Sequence, residues 1–172
     1  HKDLATCSPR GWLDKDRTVR EIAKFAGFLG AEFGGEVDLW ATQNEPFAVA
    51  FPGYLLPGPD RVNPPALSYR YQPLKDVMVA LIEAHARMYD ALKAADTVDV
   101  DGDGAAATVG LVYSMVPVRA KNPDSRLDTR AATNVFYLYN TTFLDGVAKG
   151  DLDADLTGTP VHRDDLAGRM DW

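Results

Sequence analysis

The sequence predicts an α/β protein built on a parallel sheet. Three observations predict it. Helical and strand-like periodicities alternate along the 172 residues. The first helix runs into its strand through a tight connection. Each strand leads into a longer loop before the next helix. The order helix–strand–loop–helix–strand–loop–helix–strand suits a barrel or a doubly wound sheet.

The elements follow in order. Asp16 or Thr18 is placed to cap the first helix, with Glu21 three residues after Thr18 as in a capping box. Val19, Ile22, Ala26, Leu29 and Phe33 recur at helical spacing, and Gly34-Gly35 closes the run. A strand over 36–42 follows, where Val37, Leu39 and Ala41 alternate with Asp38, Trp40 and Thr42. Pro46 ends its pairing. From Pro46 to Gln72 the chain is rich in Pro, Gly and the rings Phe47, Phe51, Tyr54, Tyr69 and Tyr71. This is a long βα loop with a short helix near its start, and loops of that length usually carry function.

Pro73 suits the first turn of a long helix whose apolar stripe is Leu74, Met78, Leu81, His85, Met88 and Leu92. His85 lies on the stripe and reads as a packed, hydrogen-bonded histidine rather than a ligand. A second strand covers 107–113. Asp128 is placed to cap a third helix with Ala132, Val135, Tyr139 and Phe143 on one face and Gly150 at its end. Residues 151–167 are acidic and turn-rich, and a third strand is expected from Met170.

Composition narrows the function classes. The chain is 46% hydrophobic and 25% charged, ordinary for a globular domain. A formal net charge of −7 argues against a nucleic-acid partner held by phosphate neutralisation. Cys7 is the only cysteine, so no intrachain disulfide is possible, and it reads as an incidental thiol. No apolar run is long enough to span a bilayer, and no secretory leader is visible. These features point to a cytoplasmic protein without a membrane partner, although the chain opens on His1 and does not display its true N-terminus.

The most informative stretch is Trp40-Ala41-Thr42-Gln43-Asn44-Glu45-Pro46. It sets an amide and a carboxyl side by side at the C-terminal lip of a strand, where parallel α/β folds place their chemistry. A carboxyl beside an amide that can bond a hydroxyl is what acid catalysis on a sugar needs. A second constellation is Asp99-Val100-Asp101-Gly102-Asp103-Gly104, the first half of an EF-hand loop. Asp99, Asp101 and Asp103 are therefore candidate Ca²⁺ ligands. The twelfth position is Gly110 and no exiting helix follows, so a solvated acidic turn is the simpler reading.

The stretch Thr42-Gln43-Asn44-Glu45-Pro46 resembles the T-x-N-E-P motif of family 1 glycoside hydrolases, the β-glucosidase family. Further landmarks keep that family's order. Phe51-Pro52-Gly53-Tyr54 and Pro57-Gly58 are similar to its "GY…PG" loop. Residues 84–93 are similar to its "AHARAYDAIK" helix. Val109-Gly110-Leu111-Val112-Tyr113 and a following Pro come next, then Arg169-Met170-Asp171-Trp172, similar to the start of its "DWIGVNYY" strand.

The resemblance implies that residues 1–172 are part of one glycoside hydrolase domain. They would supply the middle strands and helices of a (β/α)8 TIM barrel, as an internal fragment of a longer reading frame. It implies a retaining β-glycosidase acting on β-glycosides or oligosaccharides without a cofactor. Glu45 takes the role of general acid/base, and Asn44 contacts the sugar 2-hydroxyl. The family's nucleophile sits in an "ENG" motif, which this chain lacks. The loop rings can stack on sugar faces or pack the loop onto the barrel rim.

His1-Lys2-Asp3-Leu4-Ala5 is similar to the family's "HWDLP", but Lys2 and Ala5 depart from it, so no sugar-contacting role is carried over to His1. Gly11-Trp12-Leu13 is similar to its "GGW", with Trp12 a packing residue. The alternative reading is a non-catalytic carbohydrate-binding or structural remnant of the barrel. A chain holding three strands of a closed barrel is expected to expose sheet edges and to be aggregation-prone or molten, and inactive, in isolation. Sugar specificity and oligomeric state are open.

Overall fold

The computed structural model describes residues 11–59 and 63–172; His1 and Cys7 lie outside the described residues. A 3-10 turn, Gly11–Leu13, leads into helix α1, Lys15–Phe33. Strand β1, Leu39–Asn44, is followed by helices α2, Pro46–Tyr54, and α3, Tyr71–Ala95. Strand β2, Thr108–Val112, precedes helix α4, Arg126–Phe136. The last helix runs on through π-type turns at Tyr137–Thr141 and Asp145–Lys149, and Gly150 closes it in the left-handed conformation, as expected. A small antiparallel hairpin pairs β3, Asp151–Leu152, with β4, Val161–His162.

The sheet that positions the site is the parallel pair β1–β2, joined by the α3 crossover. Leu39, Trp40 and Ala41 lie opposite Thr108, Val109 and Gly110. The register then slips. Asn44 lies opposite Val112, so Thr42 and Gln43 together oppose Leu111 alone, the two-against-one count of a β-bulge. The strand begins later than the alternation suggests, because the Glu36 and Val37 amides donate to the Phe33 carbonyl at the end of α1.

Helix α3 is the spine. Its predicted stripe is buried throughout: Leu74, Met78, Leu81, His85, Met88 and Leu92 are all under 5% exposed. The N-terminal half of the stripe joins Phe47, Leu111, Phe143, Val147 and Leu166 in one core. The C-terminal half joins Val19, Ala26, Ala107 and Val109 in a second, under α1. Each fully buried aliphatic or aromatic side chain contributes about 1.5–3 kcal/mol, so the two clusters dominate stability.

Several expectations change. The N-cap position of the first helix is taken by Asp14 rather than by Asp16 or Thr18. Thr18 sits inside the first turn, and its hydroxyl donates to the Gly11 carbonyl at 2.8 Å, which the 3-10 turn brings within reach. Gly34 ends α1 in a right-handed conformation, φ −60°. Glycine is needed there for space, since a Cβ would collide with the Asp96 carboxylate. Ser125, not Asp128, caps α4. The Ser125 Oγ accepts from the Asp128 amide at 3.3 Å and donates to the Asp128 carboxylate at 3.1 Å. Phe143 is fully buried, but Val135 is 50% exposed, so the first half of that helix presents its apolar face outward.

The strand expected from Met170 does not form. Residues 169–172 lie beside β2, and the Asp171 amide donates to the Val109 carbonyl at 2.8 Å. The Val109 amide, however, is taken by the Asp171 carboxylate at 2.9 Å rather than by a backbone carbonyl. Trp172 lies so close over Gly110 that a Cβ there would sit 2.5 Å from the Trp172 carbonyl oxygen. No described helix is long and apolar enough to cross a membrane.

Candidate active site

Strand β1 has two faces, and the bulge exchanges them. Before it, Trp40 and Thr42 face the helices. The Trp40 indole Nε1 donates to the Asp96 carboxylate at 2.8 Å, and the Thr42 Oγ1 lies 2.6 Å from His85 Nδ1. Leu39 and Ala41 face away and are exposed. At the bulge Gln43 also turns to α3, its Nε2 donating to the Leu81 carbonyl at 2.9 Å. Asn44, which strict alternation would place with Trp40 and Thr42, therefore emerges on the exposed face with Leu39 and Ala41.

Glu45 continues the turn. Its φ of 47° and ψ of 60° are left-handed, a conformation that L side chains other than Asn and Asp seldom adopt. Both sides of the residue hold it there. Its amide donates to the Val112 carbonyl at 2.8 Å, completing the sheet edge. Its carbonyl accepts from the Ala48 amide at 2.8 Å, which makes it the N-cap residue of α2. Pro46 fits the next position because its missing N–H has no helical partner to lose. Beyond it Phe47 is 3% exposed, its ring stacked on Phe51 at 5.3 Å and tilted on Tyr139 at 4.4 Å. Strained residues of this kind persist where packing over-determines them, and they cluster at functional sites. The structure thus places Asn44 exposed and Glu45 half-buried, adjacent, at the C-terminal ends of two parallel strands.

His85 underlies this corner as a packed and hydrogen-bonded histidine, as its place on the stripe suggests. Its Nε2 bonds the Arg169 carbonyl. A carbonyl only accepts, so Nε2 carries the proton and Nδ1 accepts from the Thr42 hydroxyl. Burial pushes its pKa down to about 4, although the bond to Arg169 opposes the shift. Of the loop rings, Phe47 and Tyr54 are buried and Phe51 half-buried. Tyr69 and Tyr71 are 65% and 60% exposed. Packing accounts for the first group only. Tyr113, at the end of β2, donates its hydroxyl to the Tyr139 carbonyl at 2.6 Å, and burial raises its pKa.

The acidic turn sits elsewhere, between α3 and β2, at the opposite end of the strands from Glu45. The candidate calcium set is altered. Asp38, Asp99 and Asp101 bring carboxylate oxygens within 4.8 Å of one another, and Asp103 is outside that group. Asp103 instead accepts from the Ala105 amide at 2.8 Å. Asp99 accepts from Gly102 and Gly104, and Asp38 from Val100 and Asp101, so these carboxylates fold the turn itself.

The sequence alone does not single out Thr42 and Gln43 as the residues that hold the strand end. Their one signal is two polar side chains in succession where alternation predicts opposite faces.

Residues 5–165 match the family model "Glycosyl hydrolase family 1". The chain is 35% identical over 169 residues to a beta-galactosidase of Pyrococcus woesei, covering 94% of this chain and 31% of that protein. It is 31% identical over 168 residues to a beta-galactosidase of Saccharolobus solfataricus, covering 95% of this chain and 30% of that protein. Among solved structures, the beta-glycosidase from the hyperthermophile Thermosphaera aggregans matches with a TM-score of 0.74 at 26% identity, over 94% of this chain and 29% of that one. A rice beta-glucosidase shares the fold with a TM-score of 0.70 at 21% identity, over 94% of this chain and 36% of that one. The chain thus spans less than a third of the length of the curated relatives it matches. Its parallel strands and flanking helices are part of the TIM barrel of these structures. The chain belongs to glycosyl hydrolase family 1.

Proposed function

We propose that residues 1–172 are part of the catalytic domain of a retaining β-glycosidase, with Glu45 as general acid/base and Asn44 as a ligand of the sugar 2-hydroxyl. The observation that carries this reading is the strand end itself. A bulge and a left-handed turn present an amide and a carboxyl together at the C-terminal lip of a parallel pair.

The chemistry follows from that placement. Glu45, protonated, gives its proton to the glycosidic oxygen as the bond to the anomeric carbon breaks, and the aglycone leaves as an alcohol. A second carboxylate, supplied outside this chain about 5–5.5 Å from the first, bonds the anomeric carbon. Glu45, now ionised, takes a proton from water as the water oxygen displaces that carboxylate, so the β-configuration is retained. The Asn44 amide bonds the 2-hydroxyl, a contact that strengthens as positive charge develops on the ring. Carboxyls alone supply this chemistry, and no cofactor enters it. The names of the relatives point to β-galactosides and β-glucosides as substrates.

The test is Glu45→Gln in the full-length gene product, assayed on an aryl β-galactoside and an aryl β-glucoside. Loss of the acid/base lowers turnover by about 10²–10⁴-fold where the leaving group needs protonation. Unchanged turnover overturns the assignment.

A further inference from the structure

Asn44 reaches the exposed face only because two successive residues, Thr42 and Gln43, are both held on α3. In an unbulged strand Gln43 would point away and Asn44 would turn into the helices. The two anchors on α3 are the Leu81 carbonyl and the His85 ring, one helical turn apart on the same face. His85 is itself fixed from behind by the Arg169 carbonyl, which ties β1, α3 and the segment beside β2 into one chain of hydrogen bonds. His85 is fully buried in this chain.

We infer that Thr42 and His85, with Gln43 on the Leu81 carbonyl, form a positioning clamp that sets the direction of Asn44 and Glu45. This rests on the reading of that pair as the sugar-binding and acid/base residues. The clamp residues touch no substrate; they act through the backbone of the bulge. Misplacing a reacting group by about an ångström costs on the order of a hundredfold in rate. A loosened clamp therefore affects the proton-transfer step more than overall binding.

The test uses the full-length protein, with Thr42→Val and His85→Leu to break the clamp and Thr42→Ser and His85→Asn to keep its hydrogen-bond groups. Trp40→Phe serves as a control. It breaks the equally structural bond to Asp96 at the far end of the same strand, away from the bulge.

Turnover is compared for an activated aryl glycoside and for one whose phenol leaves poorly, alongside melting temperature. The clamp-breaking variants should lose about ten- to a hundredfold in kcat on the poor leaving group and less on the activated one, with KM little changed. The conservative variants should recover most of that loss. Trp40→Phe should lower the melting temperature and leave kcat unchanged. In an Asn44→Ala, Glu45→Gln background, Thr42→Val should cost nothing further, because the clamp acts only through those two side chains.

If Glu45→Gln is impaired but Thr42→Val multiplies the loss of the Asn44→Ala, Glu45→Gln double variant, the clamp is refuted and the acid/base reading stands. Equal losses for both leaving groups, matched by Trp40→Phe, also refute it. If Glu45→Gln turns over normally, the acid/base reading fails first, and the clamp falls with it.

Discussion

Acidification from neutral pH to about pH 4 should remove about 3 kcal/mol of stability through His85. The ring has no exposed surface. Burial opposes its charged form and moves its pKa from 6.5 to about 4, even though the Arg169 carbonyl favours the proton on Nε2. The unfolded chain takes up a proton below about pH 6.5, while the native chain resists until about pH 4. Stability held by neutral His85 is therefore complete above 6.5, drains as pH falls through that window, and is gone below about 4. Each pH unit in the window is worth about 1.4 kcal/mol, hence about 3 kcal/mol in all. Protonation of Nδ1 also removes the acceptor for the Thr42 hydroxyl.

His162 works in the opposite sense. Hydrogen bonds to Asp151 and Asp164 raise its pKa, so its contribution is present at low pH and lost as pH rises. His85→Asn separates the two. Urea unfolding of the full-length protein and of its His85→Asn variant, followed by tryptophan fluorescence at steps from neutral to acid pH, gives the difference between them. The wild-type curve should fall relative to the variant by about 3 kcal/mol across the window. Parallel curves would refute the burial argument.

Gly34→Ala places a methyl group against the Asp96 carboxylate, which bonds the Trp40 indole; a loss of roughly 1–3 kcal/mol in denaturant unfolding is expected. Phe143→Ala empties a site with no solvent exposure, packed on Tyr113 at 5.7 Å, and should cost about 3–5 kcal/mol in the same assay. The 172-residue polypeptide alone leaves Leu39 64% and Leu127 78% exposed. It should bind a hydrophobic dye and sediment as aggregates, and a monomer with a cooperative melt would contradict this.

The long elements were legible in the sequence because their signal is periodic and repeated. The α3 stripe from Leu74 to Leu92 is buried at every position the spacing names. The end of β1 was legible as a location, since Pro46 cannot continue the ladder. Its geometry was not. The bulge depends on contacts from Thr42 and Gln43 to His85 and Leu81, some forty residues away in the chain. Alternation alone would have sent Asn44 to the wrong face. Cap positions failed for a local version of the same reason. Ser125 and Asp128 are both competent caps, and the Asp128 carboxylate accepts from the Asn122 amide at 3.0 Å instead. The strand expected at Met170 failed because the Asp171 side chain takes the amide that a ladder would use.

The central claim is that Glu45 donates and then removes the proton. Its most direct test is azide rescue of Glu45→Ala in the full-length protein with an activated aryl β-glycoside. Azide needs no general base, so it should restore turnover and yield a glycosyl azide of retained β-configuration. A variant that azide leaves slow, or a product of inverted configuration, would contradict the account.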